Sequence, residues 1–177
     1  MNLVETFQNL VAQVPELVQP LIVALAGAIP FIEGEGAAAI GIIGGIHPVV
    51  AAIAAMAGNF LCVAILVIAG AGARKAIVTR SRNREAVAAG GGSLAEVDAE
   101  TDRGSARRAK FQRAFERYGV PGVSLLGPLL LPTHFTATML AAAGVGKGRV
   151  LIWLAAAIIL WTTAVSIIVG GAVYAIR

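Results

Sequence analysis

Charge is scarce in this chain, and over a long stretch one sign of it is missing. Charged residues make up 14% of 177, against about a quarter in an ordinary soluble domain. No Lys or Arg occurs before Arg74. The single cysteine, Cys62, excludes an internal disulfide framework, and its place inside an apolar run leaves the redox compartment open. There is no Gly-rich phosphate loop, no Cys or His cluster at metal spacing and no nucleophile beside a base in sequence. No catalytic residue, metal ligand or cofactor is therefore expected, and the chain does not read as an enzyme. Aromatics are few at 6%, while Ala and Gly abound, which suits close packing between membrane helices.

What is present is apolar. The chain is 58% hydrophobic, with a mean hydropathy of +0.82, and a soluble core of this size could not hide so much without large exposed patches. The composition predicts an integral, polytopic membrane protein. Its net charge of +4 then reads as a topology signal rather than a nucleic-acid footprint. Two uninterrupted apolar runs, 48–73 and 150–176, each exceed the ~20 residues needed to cross a bilayer. Trp153 and Tyr174 fall near opposite ends of the second, as interfacial anchors do. Residues 1–16 read as an amphipathic interfacial helix: Leu3, Phe7, Leu10, Val11 and Val14 share a face, and Asn2 with Glu5 resembles a capping box. A frayed polar terminus is the plainer alternative. The basic n-region of a cleavable signal peptide is missing, so none is expected.

The two remaining apolar blocks, 17–46 and 119–146, are broken. Val18 to Ile32 and Gly36 to Ile46 are each too short to span at about 1.5 Å per residue, and Pro30 separates them. Pro132 does the same in the second block. Two half-helices meeting at a break predict a re-entrant hairpin, tolerated only against protein or a watery cavity. Ordinary spans are the alternative. Of 14 Lys and Arg, eleven lie in 74–118, which makes that segment cytoplasmic. Re-entrant blocks keep Lys147 and Arg149 on the same side, which ordinary spans would not. The two halves then become inverted repeats, 17–73 and 119–177, each a hairpin followed by a transmembrane helix. Pro30 to Arg74 is 44 positions and Pro132 to Arg177 is 45. Broken helices in inverted repeats are the layout of secondary transporters. Two full spans hardly enclose a pathway alone, so a homo-oligomer, most simply a dimer, is expected.

Within 74–118, "NREAVAAGGGSLAEVDAETDRGS" reads as a flexible linker. Residues 104–118 read as a basic amphipathic helix carrying Phe111, Phe115 and Tyr118. Membrane lipid is its expected partner, and nucleic acid the competing one.

Three stretches carry a resemblance: "AIPFIEGEGAAAIG", "AAMAGNF" and "LLLPTHFTATMLAAAG" resemble the small multidrug export protein family, part of the wider DedA (VTT-domain) membrane proteins. The resemblance covers most of the hydrophobic sequence. It implies that Pro30, Glu33 and Gly36 belong to the first hairpin, Gly58 and Asn59 to the following span and Pro132 to the second hairpin. It also implies a bacterial inner-membrane location and either proton-driven transport or movement of polyprenyl-phosphate lipids. Glu35 stands where that family commonly has a basic residue, and His134 where the superfamily often has Arg.

A carboxylate at the bilayer centre costs roughly 2.5–3.5 kcal/mol on insertion scales. Two adjacent ones repel, and holding a proton on one of them relieves both costs. The expected proton- or substrate-binding residues are thus Glu33 and Glu35, with His134 as a titrating partner and Asn59 lining the cavity or bonding a neighbouring helix. Plain solvation of the acids in an aqueous vestibule is the alternative. Pro30, Gly34, Gly36, Pro132 and Thr133 are expected to form the breaks. Thr133, Thr136 and Thr138 are expected to satisfy freed carbonyls, and Thr162, Thr163 and Ser166 to bond their own helix or a neighbour. The leading expectation is a proton-coupled secondary transporter exporting a small, cationic or amphipathic solute. The alternatives are a flippase or scramblase for a phosphate-bearing carrier lipid and a membrane scaffold.

Overall fold

The computed structural model describes residues 3–88, 119–127 and 131–176, and all their regular structure is helical. Asn2, the greater part of the expected linker and the basic helix 104–118 lie outside the described residues. The helices are α1 (Leu3–Gln13), α2 (Gln19–Gly27), α3 (Glu33–Ile43), α4 (Pro48–Ala88), α5 (119–127), α6 (Thr133–Ala142) and α7 (Lys147–Ile176).

Prolines mark the starts. Pro20 is in the first turn of α2, Pro48 opens α4 and Pro132 precedes α6; there the missing N–H has no intrahelical partner to lose. Left-handed glycines mark two ends. Gly45 (φ 95°) and Gly144 (φ 81°) follow α3 and α6. Each lets the next residue bond back over the helix end, Ile46 N–H to Gly41 O at 3.0 Å and Val145 N–H to Leu140 O at 3.2 Å, in a Schellman pattern.

Three boundaries differ from expectation. α3 starts at Glu33, so Gly34 and Gly36 lie in its first turn and do not make the break, which falls on residues 28–32. α4 runs past the apolar stretch to Ala88, six residues into the expected linker, because no Gly or Pro interrupts 73–88 and Ala, Arg, Lys and Glu favour helix. α7 begins at Lys147, directly after the glycine-capped turn.

Among the described residues, two helices are long and apolar enough to cross a membrane: Pro48–Gly72 within α4, and α7. They pack against each other antiparallel; a Cβ on Gly170, near the end of α7, would lie 3.4 Å from Pro48 at the start of α4. α2, α3 and α6, of 9, 11 and 10 residues, are each about half a bilayer long at ~1.5 Å per residue.

The interior divides into two apolar clusters. One joins α2 and α3 to the start of α4 through Val23, Ala26, Ala37, Ala38, Ile42, Ala51 and Ala55, with Val169 and Val173 of α7 against it. The other joins α5 and α6 to the second half of that stretch through Val63, Val67, Val123, Leu140, Val150, Leu154 and Ile158. Along α4 the inward ladder reads 51, 55, 59, 63, 67, at one-turn intervals. Asn59 is its middle rung, fully buried. Along α7 it reads 150, 154, 158, 162, 166, and Thr162 and Ser166 are its polar rungs. A polar layer therefore separates the clusters near the middle of both long helices.

α2 crosses α4 at very close range. A Cβ on Gly58 would overlap the Ala24 carbonyl, and one on Gly27 would lie 2.6 Å from Ala55 O. Where neighbours are as apolar as lipid, helix association depends on such close contact more than on water exclusion.

Candidate functional site

The two proline-marked breaks meet. Phe31 and Phe135 stack with ring centroids 5.9 Å apart and planes at 57°. Behind them the carboxylate of Glu33, first residue of α3, reaches the first turn of α6. Thr133 Oγ1 donates to Glu33 Oε2 at 3.0 Å, and His134 Nδ1 lies 3.1 Å from Glu33 Oε1. All three residues are buried. Both carboxylate oxygens are thus held by side chains a hundred positions away in sequence.

Local backbone geometry builds this site. Phe31 (φ 74°) and Glu33 (φ 54°) are non-glycine residues in the left-handed region, where an L-residue costs roughly 1–2 kcal/mol. The turn is closed by Ile32 N–H and Glu33 N–H bonding to Ile29 O. The reversal at 28–32 aims Glu33 at α6 instead of along the axis of α3. On the other side, Pro132 O accepts Phe135 N–H at 2.9 Å and Thr136 N–H at 3.2 Å, which leaves the side chains of Thr133 and His134 at the helix opening. The positive end of α6 faces the carboxylate, a favourable placement for negative charge.

No Lys or Arg occurs in α2, α3, α5 or α6, or in Pro48–Gly72. Within these segments the positive charge comes from the His134 ring and from helix ends. With Glu33 ionised, His134 Nδ1 must carry the shared hydrogen. His134 Nε2 is buried with no hydrogen-bond partner among the described residues.

The expected site residues are not all together. Glu33 and His134 meet, and Thr133 joins them as a donor to the carboxylate, not as a partner for freed carbonyls. Glu35 makes no hydrogen bond to this cluster, and its Oε1 is buried with no hydrogen-bond partner among the described residues. Asn59 is in the polar layer, with both amide atoms unpartnered. Gly34 packs against Asn59 and Thr162, where a Cβ would collide with Thr162 Oγ1. Its lack of a side chain serves contact and not turning. Thr136 Oγ1 has no partner, whereas Thr138 Oγ1 donates to Phe135 O at 2.9 Å. Ser166 bonds its own helix as expected, at Thr162 O, but Thr162 Oγ1 is unpartnered.

One tie was not legible in sequence. Trp161 Nε1 donates to Leu125 O of α5 at 2.8 Å, fixing α5 to the middle of α7. Trp161→Phe keeps the ring and removes the donor. The expected loss is about 1 kcal/mol, read as a lowered midpoint in thermal unfolding, with an unchanged midpoint counting against the bond.

Comparison with protein-family models, with curated proteins and with solved structures finds no match to this chain.

Proposed function

We propose that this chain is an integral protein of the bacterial inner membrane that works as a proton-coupled secondary transporter, exporting a small cationic or amphipathic solute. The observation that carries the reading is the buried Glu33–Thr133–His134 cluster. An ionisable pair at this depth is costly and marks a proton or ion path by default. Here it joins two broken segments rather than bracing one helix.

The apolar helices support membrane insertion. Only 33% and 28% of their most apolar windows are buried, so Ile53, Leu61, Ile65, Ile152 and Ile167 face outward, as suits lipid. α2–α3 and α5–α6 are then re-entrant hairpins, and the halves are inverted repeats: each has a proline-marked break, a half-helix closed by a left-handed glycine and a long helix, with the long helices antiparallel. Breaks meeting near mid-membrane are what alternating access uses. Two spans do not surround a pathway, so the working unit is a homodimer, and segment 74–118 is assigned to the cytoplasmic side. The resemblance to the small multidrug export proteins agrees with this assignment.

Flipping of a phosphate-bearing lipid is the second reading. It draws on the approach of the α3 and α6 N-termini, since helix N-termini receive phosphates; against it stands Glu33, which already occupies that place. Purified protein in liposomes separates the two. Ethidium, a fluorescent amphipathic cation, should accumulate under an imposed pH gradient and stop when a protonophore collapses it. Dithionite-sensitive exposure of a fluorescent phospholipid without such uptake would favour flipping, and neither activity would remove both. Topology has its own check. Lys147→Cys should be labelled by membrane-impermeant maleimide only from the cytoplasmic side, and labelling from outside would mean that the broken segments span.

A further inference from the structure

Asn59 and Thr162 are each 0% exposed, yet Asn59 Oδ1, Asn59 Nδ2 and Thr162 Oγ1 have no hydrogen-bond partner among the described residues. A buried polar group left unmatched costs about 1–3 kcal/mol, and nearly all such groups in native proteins find a partner. These two converge on one spot. A Cβ on Gly34 would collide with Thr162 Oγ1 and lie 3.4 Å from Asn59 Nδ2, while the backbone N of Asn59 is 3.3 Å from the same point on Gly27. Gly27 ends α2 and Gly34 lies in the first turn of α3. The unmatched atoms therefore sit against the break between two half-helices, walled by α4 and α7.

We infer that this spot binds a sodium ion, which keeps part of its water shell. Asn59 Oδ1 and Thr162 Oγ1 are hard neutral oxygens, and turning the amide by half a revolution brings Oδ1 to Gly34 in place of Nδ2. The C-terminal end of α2 supplies negative partial charge. Glu33 and Glu35 open α3, and no Lys or Arg lies in α2, α3, Pro48–Gly72 or residues 150–176, so the local field disfavours anions. Among the described residues no three His, Cys, Asp or Glu cluster, which disfavours a divalent or transition metal. Broken-helix carbonyl ends with side-chain oxygens are a known setting for sodium in membrane proteins. The site uses residues other than the Glu33–Thr133–His134 contacts, and it exists whether or not the chain transports.

The test reads binding alone. Full-length protein in detergent is unfolded by heating, followed by Trp fluorescence, in sodium, potassium, lithium or choline chloride at fixed pH and ionic strength. Sodium should raise the midpoint saturably, and potassium and choline should not. Thr162→Val, nearly isosteric, and Asn59→Ala should each weaken the sodium response about tenfold or abolish it. Equal midpoints in all four salts would overturn the proposal and leave water as the occupant. So would a sodium response unchanged in both variants. Should Asn59→Ala fail to fold, the wild-type salt series and Thr162→Val still decide.

Discussion

Glutamine at position 33 should leave the fold standing and, on the proposed proton-coupled reading, stop gradient-driven uptake of ethidium into liposomes. Gln matches Glu in shape. Its carbonyl oxygen still accepts the Thr133 hydroxyl, and its amide can donate to a His134 Nδ1 lone pair, so the contacts between α3 and α6 survive with their sense rearranged. What is lost is an atom that exchanges a proton. Under a pH gradient, accumulation should fall by at least about a hundredfold, the lower range for removing a proton-transferring group, while equilibration of the dye without a gradient persists. Uptake in the variant that still follows the gradient would make the carboxylate a structural brace and end the proton-coupled reading. Glu33→Ala is the contrasting variant. It strands two buried partners at once, at about 1–3 kcal/mol each, and should lower the unfolding midpoint where Gln does not.

Gly58→Val should prevent folding altogether. A Cβ there overlaps the carbonyl of Ala24 and comes within 2.8 Å of its Cα, so backbone meets backbone and no side-chain rotation relieves it. Ordinary overpacking costs about 1–3 kcal/mol; here α2 would have to leave α4 entirely. The expected result is loss of the monodisperse peak in size-exclusion chromatography. Gly72→Ala is the control, since its Cβ meets nothing within 4 Å and helix propensity favours Ala by about 1 kcal/mol. A well-folded Gly58→Val protein would mean that the close crossing does not exist.

The two long helices were legible because length and hydropathy alone define them, and the breaks because Pro30 and Pro132 interrupt otherwise apolar blocks. The starting point of α3 was not. Glycine between two acids suggests a turn, but the left-handed residues are Phe31 and Glu33, and a sequence does not advertise strain in residues that avoid it. Gly34 is small because Thr162 is there, a contact spanning α3 and α7 that no local pattern encodes. Glu33 and His134 could be paired in advance as titratable groups in apolar surroundings. Thr133 was assigned to its own backbone, the commoner fate of a hydroxyl beside a proline. Thr162 misled in the same way: its carbonyl receives the Ser166 hydroxyl, but its own Oγ1 has no partner among the described residues.

The hundred residues that separate Glu33 from Thr133 also set a clock. At about 5–20 residues per second, roughly 5 to 20 s pass on the ribosome between the emergence of the acid and that of the groups that receive it. Throughout that interval the first half already carries an unaccompanied carboxylate at the head of α3. Nascent chains stalled or truncated before residue 133 should therefore lack both side-chain partners of Glu33 and be less stable than the completed chain.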